Sequence, residues 1–129
     1  MRSRPAKLAI LDTSVYIENF RTGRFAFHLL QAPYVIRCSA VVLHELFRGA
    51  RPGLERRFVM DLMNRCRIIT PTERRWIHAG ELLNVMRSHQ HYEGNKLREL
   101  AFDVLIALTA RSIGATVITC NETDFQAIR

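Results

Sequence analysis

The segment LAILDTS, residues 8–14, decides how the rest of the chain is interpreted. Its four apolar residues form an unbroken run of strand length, which is typical of a strand buried on both faces of a parallel sheet. Asp12 then stands at the carboxyl end of that strand, and Thr13 or Ser14 can cap the helix that follows. Ligands of open α/β sheets bind beyond the carboxyl ends of the strands. Asp12 is therefore either a helix cap or part of a functional site, and this segment alone leaves both open.

The size and composition of the chain indicate a single domain. Its 129 residues, 48% of them hydrophobic, suffice for one buried core, so we expect one domain over residues 1–129. Its three cysteines, Cys38, Cys66 and Cys120, lack the spacing of a disulfide framework or a zinc site. We expect Cys38 and Cys66 to be small buried residues. No signal peptide or membrane-spanning run is evident, which predicts a cytoplasmic protein without a membrane partner.

The charge of the chain favours a polyanionic partner. Nineteen Lys and Arg residues against 12 Asp and Glu residues give a net charge of +7. Such an excess attracts nucleic acid first of all, although a solvated basic surface or an acidic protein partner remains open. Arg48 and Arg51 are candidates for contacts with RNA phosphates. Trp76 and the phenylalanines at helical spacing are expected in the core or on a dimer surface, and not as platforms for base stacking.

Strands alternate with helices along the whole chain. Apolar runs predict strands over residues 8–11, 34–38, 67–69 and 115–119. Helical periodicity predicts helices over residues 13–20, 24–31, 40–48, 54–64, 72–89 and 96–112, and a last short one within 121–129. Ser39 and Thr72 are candidate N-caps, and residues 89–95 form a polar break that includes His89 and His91. This order predicts an α/β fold with a parallel sheet between helices.

Four acidic residues stand at the boundaries of these elements: Asp12, Glu45, Asp103 and Asp124. If the first and fourth strands are neighbours at the topological switch point, Asp12 and Asp124 converge there. Helices that pass the same edge of the sheet bring in Glu45 and Asp103. Four carboxylates in one cleft repel one another, and a hard divalent cation relieves that repulsion. Oxygen ligands favour Mg²⁺ or Mn²⁺, which suit phosphodiester hydrolysis.

Four motifs in order make the chain similar to a known family. They are LDTSV at 11–15, VLHEL at 42–46, DVLIALTA at 103–110 and VITCNETDF at 117–125. Together they resemble the PIN-domain nucleases, and among these the small VapC-like toxins. The resemblance implies a three-layer fold with a central parallel sheet of four strands. It also implies an endoribonuclease that depends on Mg²⁺ or Mn²⁺, usually a homodimer, paired with a VapB-like antitoxin.

The resemblance also assigns roles to residues. Asp12, Glu45, Asp103 and Asp124 correspond to metal ligands or their supports. Thr13 and Thr119 correspond to residues that orient ligands or water, and Asn121 to one that holds the loop carrying Asp124. Family members commonly continue into one more short strand, whereas this chain ends at Arg129. The resemblance therefore leaves a fifth strand open.

Other functional classes fit the motifs less well. Haloacid-dehalogenase-like phosphatases need a second Asp two residues after the first, where this chain has Ser14. Receiver domains need a Lys after a late strand, and none follows the fourth strand. Two alternatives within the family fold stay open. One is an inactive RNA-binding module, and the other is a nuclease for RNA processing or structured DNA.

Overall fold

The fold is an α/β arrangement of four strands and five helices within the described part of the chain. The computed structural model describes residues 7–22, 34–90 and 94–120. The strands are β1 (Lys7–Leu11), β2 (Tyr34–Ser39), β3 (Ile68–Ile69) and β4 (Thr116–Ile118). The helices are α1 (Thr13–Thr22), α2 (Ala40–Gly49), α3 (Leu54–Arg65), α4 (Glu73–Gln90) and α5 (Gly94–Ser112). The predicted helices over 24–31 and within 121–129, and any fifth strand after them, lie outside the described residues.

The four strands form one parallel sheet in the order β3-β2-β1-β4. In register, Leu8 lies opposite Val35 on one side of β1, and Ile10 lies opposite Val117 on the other. Along the sequence, β2 and β3 are added on one side of β1, and β4 is added on its other side. The point where the strand order reverses is therefore between β1 and β4, which is the condition under which Asp12 and Asp124 were expected to converge, and such a point is where open α/β sheets bind ligands.

Polar side chains cap α2 and α4 at the residue that precedes each helix. Ser39 Oγ accepts hydrogen bonds from the backbone N–H groups of Val41 at 3.1 Å and Val42 at 3.5 Å. Thr72 Oγ1 accepts one from the backbone N–H of Arg75 at 3.3 Å. Both predicted N-caps are confirmed, since a side-chain oxygen meets a donor that the helix leaves unpaired. After α5 the chain turns at Gly114, whose φ of +68° is strained for other residues.

The core lies between the sheet and the helices. Ile10 of β1 and Leu100, Val104 and Ile106 of α5 are fully buried, and Val42 of α2 is 1% exposed. Apolar side chains from α1, α3 and α4 complete the same cluster. Burial of β1 follows from its apolar run, because both faces of a central parallel strand are covered. Its carboxyl end is thereby held rigidly, together with the acid that follows it.

Three details differ from the sequence prediction. The polar break is shorter than predicted, because α4 continues to Gln90 and includes His89, and α5 already begins at Gly94; His91 lies outside the described residues. Trp76 is 54% exposed on α4, which excludes the core, one of the two places expected for it, and leaves a dimer surface as a prediction. The predicted burial holds for Cys38, at 3% exposure, whereas Cys66 is half-buried. Among the helices in the described ranges, none is both long and apolar enough to cross a membrane.

Candidate active site

Asp12 is held rigidly where β1 ends. Its side chain is buried, with 3% of the residue exposed, and its backbone N–H donates to the carbonyl of Ile118 at 3.0 Å. Its Oδ1 accepts from Ser14 Oγ at 2.6 Å and from the backbone N–H of Val15 at 3.3 Å. Its Oδ2 accepts from Thr119 Oγ1 at 2.6 Å. Asp12 therefore caps α1 itself, and the prediction that Thr13 or Ser14 does so is wrong. Asp12 is thus both the cap of α1 and part of the lining of the candidate site.

Ser14 is a site residue that the sequence reasoning missed. Besides donating to Asp12, its Oγ accepts a hydrogen bond from the backbone N–H of Cys120 at 3.1 Å. One hydroxyl thus ties the first turn of α1 to the segment that follows β4. The signal was present in the sequence, because a hydroxyl two residues after an acid commonly bonds locally to it. The role that the sequence predicts for Ser14 is only that of a helix cap.

Glu45 faces the same region from α2. Thr13 Oγ1 donates to Glu45 Oε1 at 2.9 Å, so the side chain next to Asp12 positions the second acid. Burial raises the pKa of the Glu45 carboxyl, and the negative charge of Asp12 raises it further. The Thr13 hydrogen bond and the Arg48 guanidinium oppose this rise in the pKa of Glu45, and His44 does so less strongly. Glu45 is therefore a carboxylate that a cation placed beside it would stabilise in its charged form.

An open cleft of about 440 Å³ connects these groups with α5. Three of the four predicted acids, Asp12, Glu45 and Asp103, line it from three different elements. Thr13 and Arg48 line it as well, and Thr119 reaches it through its bond to Asp12. The remaining lining residues are Ser14, Ile17, Arg98, Glu99 and Phe102.

Some predicted residues lie elsewhere, and some cleft residues were not predicted. Arg51 is exposed and is not part of the cleft lining. Asn121 and Asp124 lie outside the described residues. Glu99 was missed although it precedes Asp103 by four residues, which is the spacing of neighbours on one helix face. The sequence alone did not show which face of α5 meets the cleft.

The chemistry of the cleft fits a hard divalent cation. Its three predicted acids offer carboxylate oxygens, and among the described residues neither histidine nor cysteine lines it, a donor set that suits Mg²⁺ or Mn²⁺. Within the described ranges, no three Asp, Glu, His or Cys side chains lie close enough together to form a complete ligand cluster. That arrangement is compatible with Mg²⁺, which keeps several of its waters and takes few protein ligands.

A protein-family model and several solved structures match this chain. The family model described as "PIN domain" matches residues 9–129. The structure of VapBC-1 from nontypeable Haemophilus influenzae is similar with a TM-score of 0.70 and 26% identity, covering 94% of this chain and 92% of that one. No curated protein sequence matches the chain.

Two further solved structures share the fold. DNA-bound VapBC from Salmonella typhimurium has a TM-score of 0.65 at 23% identity, covering 95% of this chain and 92% of that one. VapBC2 from Rickettsia felis, bound to a fragment of promoter DNA, has a TM-score of 0.67 at 24% identity, covering 92% and 91%. At such identities the likeness supports the fold alone.

Proposed function

The chain belongs to the PIN domain family, and from this membership and its acidic cleft we propose that it is a metal-dependent endoribonuclease. The observation that carries the proposal is the convergence of Asp12, Glu45 and Asp103 on one cleft, from the end of β1, from α2 and from α5. Such a cleft on a chain of net charge +7 suits a polyanionic substrate whose reacting phosphate needs a cation. Asp124 is proposed as the fourth acid, from its motif.

The residues of the cleft would have different roles. Ser14 and Thr119 fix both oxygens of Asp12, so that its orientation is set before any ligand arrives. Thr13 does the same for Glu45. Arg48 lines the cleft and offers a guanidinium to the phosphate next to the scissile bond. Arg51 remains a candidate for contacts with RNA phosphates, and Asn121 remains a candidate for holding the loop that carries Asp124.

Asp12, Glu45 and Asp103 would hold Mg²⁺ or Mn²⁺. Bound there, the cation would offset their mutual repulsion and make water more acidic, which phosphodiester hydrolysis requires. The pKa of Glu45 is raised by burial and, less strongly, by the charge of Asp12, and a cation bound beside it would counter both effects.

The biological role we propose is that of the toxin in a toxin–antitoxin pair. Its support is the similarity over nearly the whole chain to a VapBC-1 structure at 26% identity. The partner is then a VapB-like antitoxin, and the chain acts as a homodimer. Expression of the chain alone should arrest growth, and co-expression with the antitoxin should restore it. Growth that is unaffected by expression of an active nuclease would favour an RNA-processing enzyme instead.

Replacing Asp12 tests the nuclease proposal directly. The Asp12→Asn variant should lose metal-dependent cleavage of total RNA by more than about 100-fold. Mutation of residues that only support a metal ligand already lowers metal affinity or activity about 10- to 100-fold. The matched control is Asp61→Asn, which neutralises an exposed acid of α3 outside the cleft. Circular dichroism should show both variants folded. If the Asp12→Asn chain cleaves RNA as fast as the parent, the proposed mechanism is wrong.

A further inference from the structure

A second, smaller cavity adjoins the acidic cleft. It measures about 210 Å³ and is lined by Ala40, Val41, His44, Thr70, Pro71, Trp76 and Phe102. Phe102 lines the cleft as well, so its ring forms a shared wall between the two spaces. At this volume the cavity is smaller than most sites for drug-sized ligands, and it suits one flat group.

The walls of this cavity are aromatic and carry a positive group at the boundary with the cleft. The rings of His44 and Phe102 lie 5.7 Å apart at an interplanar angle of 38°. The Arg48 guanidinium carbon lies 5.6 Å from the centre of the Phe102 ring. Trp76 is 54% exposed, although a tryptophan of a stable domain is usually well covered. The cavity thus offers ring faces that no group in the described part of the chain covers fully.

We propose that this cavity holds one unpaired base of an RNA substrate, with Trp76 as the stacking surface. The inference rests on the proposed function, because it places the phosphate of the same nucleotide or its neighbour in the acidic cleft. Two features favour RNA over a protein as the occupant. The cavity and the cleft share Phe102 in their linings, and Arg48 lines the cleft and lies beside the Phe102 ring, so its guanidinium would be close to a phosphate attached to a base in the cavity. Stacking on aromatic rings beside a cation is how proteins hold single-stranded nucleic acid.

This placement makes Trp76 a residue that determines specificity. A base bound in this cavity is neither stacked on its neighbouring bases nor paired with another base. The substrate is therefore single-stranded RNA or a loop, and a continuous duplex is excluded from the cavity. The acids would cut close to the base that Trp76 holds, so cleavage should show a preference at one position beside the cut.

The fluorescence of Trp76 provides the test, because it is the only tryptophan in the chain. The Asp12→Asn variant is titrated with RNA hexamers of adenosine, with RNA hexamers of uridine, and with a ribose-phosphate hexamer that lacks bases. We expect the first two to quench the fluorescence and the third to leave it unchanged.

Binding of labelled hexamers should weaken roughly ten-fold or more when Trp76→Ala is added, and Trp76→Phe should restore most of the affinity. The matched control, Ile77→Ala, removes the next residue of α4, which is 66% exposed and outside the cavity lining. This control should bind like the parent. In the active chain, Trp76→Ala should raise KM, leave kcat nearly unchanged and flatten the base preference at one position.

Other results of these experiments would contradict either the stacking role of Trp76 or the proposed function. Equal quenching by the hexamer without bases would overturn the stacking role and leave only a charge contact. A change in Trp76 fluorescence with protein concentration, and none with RNA, would assign the cavity to a second copy of the chain. Unchanged cleavage and base preference in Trp76→Ala would also overturn the inference while the nuclease proposal stands. Absence of any RNA cleavage by the parent chain with Mg²⁺ or Mn²⁺ would refute the proposed function itself.

Discussion

Removal of the Ser14 hydroxyl tests whether the Asp12 carboxylate is held as the structure shows. Ser14→Ala deletes a donor 2.6 Å from Asp12 Oδ1 and an acceptor 3.1 Å from the backbone N–H of Cys120. A hydrogen bond to a charged group contributes about 1.5–3 kcal/mol, and its loss leaves a buried carboxylate with one donor fewer. Since Ser14 is only half-buried, we expect the lower part of that range, about 1.5–2 kcal/mol. The Cys120 amide adds little, because Cys120 is exposed to water.

Urea unfolding followed by circular dichroism measures this loss in the free energy of unfolding. The control is Ser88→Ala, because the Ser88 hydroxyl donates to the carbonyl of Asn84 on the exposed surface of α4, outside the cleft. Its effect should stay within about 0.5 kcal/mol. In the Asp12→Asn background the Ser14→Ala change should cost only about 0.5–1.5 kcal/mol, since a neutral acceptor remains. A loss no larger than that of Ser88→Ala, or an equal loss in both backgrounds, would refute the proposed bond between Ser14 and the charged carboxylate.

Two further variants or conditions test the core around the site. Leu100→Ala should lower the free energy of unfolding by about 2–5 kcal/mol, because Leu100 is fully buried and truncation leaves a cavity; a loss below 1 kcal/mol would contradict the packing of α5. Burial raises the pKa of the Tyr16 hydroxyl and of the Cys38 thiol above their ordinary values of 10.0 and 9.0. Both groups therefore ionise more readily in the unfolded chain, so their contribution to stability should be constant up to about pH 9 and fall above it. Urea titrations at rising pH measure this fall, and stability that increases above pH 9 would contradict the burial of both groups.

The sequence predicted the fold well because its strongest signals are local. The unbroken apolar run of residues 8–11 is typical of a strand that is covered on both faces in a parallel sheet. It forms β1, which lies between β2 and β4. The caps Ser39 and Thr72 were also predictable, since the oxygen of each bonds to amides two or three residues ahead. These outcomes depend on residues close in sequence.

The details that were missed depend on tertiary packing. Apolar residues of α4 lie on several sides of the helix, so periodicity could not separate the buried Ala79 and Met86 from the exposed Trp76. Ser14 bonds to Cys120 across 106 positions of sequence, and no local pattern predicts such a pair. Likewise, the side of α5 that carries Glu99 and Phe102 into the cleft is set by how the helix packs.

A crystal grown with Mn²⁺ tests the central claim most directly, namely that acids from separate elements gather to hold a divalent cation. Anomalous scattering locates manganese independently of any assumed ligand. We expect one peak in the cleft, within coordination distance of carboxylate oxygens of Asp12 and of Glu45 or Asp103, and its absence in the Asp12→Asn crystal. An Mn²⁺ crystal of the parent chain with these carboxylates apart and no anomalous peak between them would contradict the claim.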